Sequence, residues 1–144
     1  MAAISVTAAN VLAGANAKTR KVTAGATLTA GQAVYESGTE VYLAQCDGTL
    51  AEATVVGITL GGAADGQPVV IVTEDDDFTP GGTLVLTAAG GAGLVGLSAT
   101  AGGLEMMVSA TMPLSGNYPV ILGVAKTTTK MKLKIVGPGG PLTA

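Results

Sequence analysis

The sequence predicts an all-β protein, a compact antiparallel β-barrel or sandwich with an extended N-terminal arm. Three observations carry this. Val-, Leu- and Thr-rich runs of strand length recur along the chain. Turn signals separate them at short intervals, the pattern of sandwiches and barrels. No stretch carries a sustained i, i+3, i+4, i+7 apolar stripe free of glycine, so helix is nowhere favoured. At 144 residues the chain fits one domain.

The elements follow in order. Residues 1–22 are Ala-, Asn- and Thr-rich and read as an extended arm, with Ile4, Val6, Val11 and Leu12 as its apolar contacts. The β-domain spans 23–136. It opens with Thr27-Leu28-Thr29, a turn at Ala30-Gly31, and a strand from Ala33-Val34-Tyr35. Glu40–Ala44 alternates and ends at an Asp47-Gly48 turn. Thr54–Leu60, Val69–Thr73, Thr83–Thr87 and Pro119–Val124 are further strand-length runs. The last, Lys130–Val136, alternates strictly: Lys130, Lys132 and Lys134 share one face, Met131, Leu133 and Ile135 the other. Residues 137–144, rich in Gly and Pro, read as a tail. Gly31-Gln32-Ala33-Val34 is echoed by Gly66-Gln67-Pro68-Val69, while a second echo has a different spacing. The pattern is therefore a turn entering a strand rather than a repeat array.

Composition narrows the chemistry. Hydrophobic residues make up 48% but aromatics only 3%, so small and β-branched residues must build the core, with partner subunits supplying some of the burial. With no His and one Cys, a His/Cys zinc site, Ser-His-Asp or Cys-His catalysis and an intrachain disulfide framework are excluded within one chain. No catalytic carboxylate pair stands out, and no enzyme activity, cofactor or metal is expected. Cys46 has no basic neighbour in sequence to activate it.

The ten acidic and seven basic residues are segregated. Lys18, Arg20 and Lys21 lie near one end and Lys126, Lys130, Lys132 and Lys134 near the other, with every acid between them. Two readings stay open: the basic ends pair with acidic loops of the same subunit, or they form a basic face toward a partner. An acidic chain with few aromatics is a poor ligand for nucleic acid. The densest acidic run, Glu74–Asp77, reads as a solvated loop, as a partner for a neighbouring subunit's basic strand, or as a cation site. Consecutive residues of an extended chain point to alternate sides, which disfavours the last of these.

Other signals fail on context. Gly91-Ala92-Gly93-Leu94-Val95-Gly96 has the letters of a dinucleotide fingerprint, but no helix pattern follows. Asp47-Gly48-Thr49 reads as a hairpin turn. The start, Met1–Val6, lacks the marks of a secretory signal. The uncharged stretch from Phe78 to Leu104 is broken by Pro80 and many glycines, so no membrane span is expected.

Five ordered segments resemble tailed-phage capsid decoration, or cement, proteins. They are Thr23–Tyr35, Val56–Leu60 (where that family often has Ala at the position of Thr59), Ala64–Val69, Leu97–Leu104 and Val120–Ala125. The resemblance covers residues 23–136. It implies a β-built, usually trimeric accessory protein on the outside of an HK97-like head, with the major capsid protein and its own copies as partners and neither nucleic acid nor membrane. It implies no catalytic residues. Gly25, Gly31, Gln32, Gly57, Gly66, Gln67, Gly102 and Gly103 match as structural turn positions. On this reading Lys18, Arg20, Lys21, Lys130, Lys132 and Lys134 meet acidic capsid surface, and the arm adds strand-like contacts. The alternative is a virion-surface module that attaches to glycan or host protein, for which Tyr35, Tyr42, Phe78 and Tyr118 are the available aromatics.

Overall fold

The computed structural model describes residues 2–46, 49–84, 94–98, 100–106 and 120–136. Among these the protein is predominantly β. The strands are β1 (Ala2–Ala3), β2 (Lys18–Ala24), β3 (Ala33–Ser37), β4 (Glu40–Leu43), β5 (Val55–Thr59), β6 (Pro68–Phe78), β7 (Leu94–Leu97), β8 (Leu104–Met106), β9 (Ile121–Ala125) and β10 (Met131–Val136). One short helix, α1 (Leu50–Ala53), precedes β5.

The strand order is β1-β8-β7-β9-β10-β6-β2-β4-β3-β5, and β5 also pairs with β6. That last pairing closes β6, β2, β4, β3 and β5 into a small five-stranded barrel. The remaining strands extend from β6 as an antiparallel sheet. β6 serves both because it is 11 residues long, about twice the usual strand. Val69–Val72 face β2 and β5, while Glu74, Asp75 and Phe78 face β10. The expected antiparallel barrel needs one correction, since β2 and β4 run parallel, Thr23 beside Glu40 and Ala24 beside Val41.

The period-2 pattern decides which side chains enter the barrel. Val22 and Ala24, Val34, Val41, Val69 and Ile71 point inward and pack with Leu28 and Ala63. These inward positions hold Val, Ala, Ile and Leu side chains, in keeping with an aromatic-poor sequence. The opposite faces form a second core between barrel and sheet, where Ile58, Val72, Phe78, Leu97, Leu122, Met131 and Leu133 are fully buried. Burial of each such side chain contributes about 1.5–3 kcal/mol.

The segment expected as an arm lies partly against the chain itself. β1 pairs with β8, the Ile4 N–H donates to Leu104 O (2.9 Å), and Leu12 bridges Thr79. β2 begins at Lys18, so the expected boundary at residue 22 falls inside a barrel strand. The helix was not expected either. Thr49 and Glu52 form a reciprocal capping box around its first turn.

The Gly-Gln echo corresponds to a local two-fold relation at an offset of 35 positions. Gly31 N–H donates to Thr59 O and Thr59 N–H to Gln32 O. Shifted by the same offset, Gly66 N–H donates to Ala24 O and Ala24 N–H to Gln67 O. Leu28 and Ala63 sit on the axis and exchange both backbone bonds. In each copy the Gln side chain folds back, Gln32 accepting from Thr29 N–H (2.9 Å) and Gln67 from Ala64 N–H (3.1 Å). Each glycine takes a left-handed φ (84° at Gly31, 87° at Gly66), as the third residue of such a turn requires.

The copies differ in how the turn closes. Gln67 N–H donates directly to Ala64 O (3.0 Å). In the first copy the buried Thr59 hydroxyl is inserted instead, accepting from Gln32 N–H (3.0 Å) and donating to Thr29 O (2.6 Å).

Candidate docking surface

The charged residues cluster where β10, β6 and β2 lie side by side. Glu74 of β6 stands between Lys134 of β10 and Lys18 of β2. Lys18 Nζ is 3.8 Å from Glu74, and Arg20 reaches across to Glu36 of β3 (2.8 Å). At the β9–β10 hairpin, Lys130 and Lys126 both donate to the Asp77 carboxylate (3.0 and 3.3 Å), and Lys126 also to Asp76 O (2.7 Å). These hydrogen bonds from Lys130 and Lys126 hold the Asp77 carboxyl below its ordinary pKa. All these pairs are solvent-exposed, so each contributes little to stability.

Of the two readings of the charge pattern, pairing within the subunit accounts for Lys18, Arg20, Lys126 and Lys130. Lys21, Lys132 and Lys134 form no ion pair among the described residues. Lys132 and Lys134 project from the exposed face of β10, beside the exposed Val124 and Val136. Lys130 lies just before the strand.

Glu74–Asp77 is not the solvated loop expected from sequence. It is part of β6, because β10 supplies a complementary basic strand. Asp75 is 1% exposed and points into the protein, where its carboxylate accepts Gly14 N–H (2.6 Å) and Asp77 N–H (2.9 Å). It thereby fastens the segment before β2 to β6. Alternation separates the four carboxylates, and no cluster able to hold a metal occurs among the described residues.

Of the arm's apolar residues, Ile4 and Val11 are buried and Val6 is half-buried, while Leu12 is 61% exposed. The turn residues converge. A Cβ on Gly102 would run into Leu43 and Gln32; the Gly102 N–H donates to Ala44 O (2.7 Å), and its carbonyl accepts from Ala33 N–H (3.1 Å). Gly103 closes the same turn by donating to Thr100 O, and Gly57 lets β5 approach β6. Gly25 lies beneath the Tyr42 ring.

The aromatics give a glycan little to stack on. Phe78 is fully buried, and Tyr35 and Tyr42 pack on each other at 5.8 Å. The Tyr42 pKa is raised, chiefly by the Glu40 carboxylate. An open cleft of about 380 Å³ is lined by hydroxyls such as Ser5, Thr7, Thr83 and Thr129, with no charged group among the described lining residues. Cys46 is fully buried, and Leu94–Gly96 of the glycine-rich hexapeptide belong to strand β7. Gly91–Gly93, the Asp47-Gly48 turn, Tyr118 and the tail 137–144 lie outside the described residues. No helix among those described is long and apolar enough to cross a membrane.

No protein-family model matches the chain, and no curated protein matches it.

Proposed function

We propose that the protein is a capsid decoration, or cement, protein that binds the outer surface of an HK97-like phage head as a homotrimer and stabilises the shell. One observation carries this reading most. The segments that resemble the family are remote in sequence yet pack into one hydrogen-bonded unit. The two Gly-Gln turns exchange bonds through Leu28 and Ala63, the Gly102 turn docks on Ala33 and Ala44, and Leu97 N–H donates to Val120 O. The motifs thus act as the framework of a small part, and Lys21, Lys132 and Lys134, which form no ion pair among the described residues, are available to an acidic partner surface. Avidity on a repetitive lattice turns such modest contacts into stable attachment.

The test is co-sedimentation with expanded shells of the major capsid protein, together with light scattering of the free chain. A three-copy mass and saturable binding weakened by salt are expected. A monomer at micromolar concentration would overturn the trimer, and no binding to expanded shells would overturn the decoration role. Leu12→Ser, at the exposed apolar position of the N-terminal segment, tests the arm and is expected to lower occupancy while leaving the fold intact.

A further inference from the structure

We propose that the open edge of β2, Lys18–Val22, takes up an extended, carboxylate-bearing segment of another polypeptide as an added strand. β2 pairs with β6 along its length, from Lys18 beside Glu74 to Thr23 beside Pro68. On its other side only Thr23 and Ala24 have a partner, in β4. No strand among the described residues covers that side of Lys18–Val22.

The direction of the backbone groups follows from two bonds. Gly25 N–H donates to Val41 O of β4 (2.8 Å), whereas Ala24 N–H donates to Gln67 O on the β6 side (2.8 Å). Backbone groups alternate along a strand, so Thr19 and Lys21 turn their N–H and C=O toward the open side. An extended chain laid there finds a ready ladder, which is how strand addition gains affinity.

Charge selects the occupant. Lys18, Thr19, Arg20 and Lys21 are all exposed, which places three cations within four positions of one edge. Lys18 and Arg20 are partly offset by Glu74 and Glu36, and Lys21 has no ion pair among the described residues. Beside Lys21 on β6, Val70 is 40% exposed and offers apolar surface to an incoming side chain. An acidic strand complements this edge, while a second copy of the same edge would set like charges opposite each other. The inference does not depend on the capsid reading, since it names only the chemistry of the segment.

The experiment uses the full chain, isotopically labelled, at low salt, with a capped peptide alternating Glu and Val and a control alternating Lys and Val. The acidic peptide should slow hydrogen exchange at the Thr19 and Lys21 amides at least about tenfold, and the basic one should not. Lys21→Pro removes an open-side donor and spares the β6 ladder, so peptide protection at Thr19 should vanish at an unchanged melting temperature. Lys21→Glu keeps the donor and reverses the charge; it should weaken the acidic peptide about tenfold, and it carries the test if the proline variant does not fold. No protection at millimolar peptide, or unchanged affinity in Lys21→Glu, would overturn the proposal and leave the cations as a guard against edge pairing.

Discussion

The two halves of the barrel share one pattern of hydrogen bonds and separate at one position. From Gly31 and Gly66 each half runs through a Gly-Gln turn into a strand, β3 in one and β6 in the other. At Gly38 the first half reverses into β4, through a backbone with φ of 63°. The equivalent residue at the 35-position offset is Thr73, whose β-branched side chain disfavours that conformation. There the second half continues with only a register shift against β2, where Lys18 faces Glu74 but Thr19 faces Val72. One half therefore ends in a hairpin that covers only the last residues of β2. The other extends to Phe78 and becomes the strand on which the second sheet is built. A turn-permissive residue in one copy and a turn-resistant one in the other divide the labour between closing the barrel and extending it.

The strongest way to break this equivalence is to substitute the paired glycines. Alanine at either position must adopt a left-handed φ, which costs about 1–2 kcal/mol. At Gly66 the new Cβ meets nothing within 4 Å, so that cost is the whole effect. At Gly31 it would lie 2.5 Å from Val6 Cγ1 and 3.0 Å from Val11 Cγ2, so the N-terminal segment must move as well. Gly31→Ala should destabilise by about 2–4 kcal/mol in urea unfolding, clearly more than Gly66→Ala. Equal losses would mean that residues 6–11 are not seated on the turn in solution.

A smaller effect sharpens the difference between the two turns. Thr59→Val keeps the bulk of the side chain and removes the hydroxyl, leaving Thr29 O and Gln32 N–H without their shared partner, at a cost of about 1–3 kcal/mol. Thr59→Ala removes the bulk too, so the first turn can close directly, as Gln67 N–H does onto Ala64 O. Thermal unfolding should therefore rank Thr59→Ala as the milder change. The reverse order would show that the hydroxyl is not what props the turn open.

How much of this was legible in the sequence depended on whether a segment's neighbours lie within its own run of residues. β3, β4, β5 and β10 are bounded by their own alternation and turns, and the lysine face of β10 follows from period 2 alone. β2 was missed because Lys18–Lys21 are exposed on both faces, so no alternation appears until Val22 and Ala24 enter the barrel. The parallel β2–β4 contact is a register between strands that leaves no local mark. The capping box of α1 was present as Thr49 and Glu52, but a four-residue helix has no periodic stripe to draw attention to it. At the docking surface the cations could be counted from sequence. Which of them are paired could not, because that is set by the order β10-β6-β2. The same holds for Asp75, which differs from its acidic neighbours only in facing Gly14.

The least effect is expected where the extended half is tied down, at Asp77. Lys130 and Lys126 lower its carboxyl pKa in the folded chain, while the unfolded value is about 3.9. A lowered folded pKa means that the stabilisation is present above the unfolded value and lost as pH falls through the folded one. The window is thus acidic, below about pH 4, and neutral pH lies outside it. Asp77→Asn should flatten this acid limb, and because the pairs are exposed the difference from the unsubstituted chain should shrink in high salt. The first half of the barrel ends at Leu43 with no such lysine clamp among the described residues, so Glu36→Gln, which removes the Arg20 pair, should leave the Asp77-dependent limb intact. Loss of the limb in both variants would mean that the two halves share one acid transition and that the hairpin clamp is not its source.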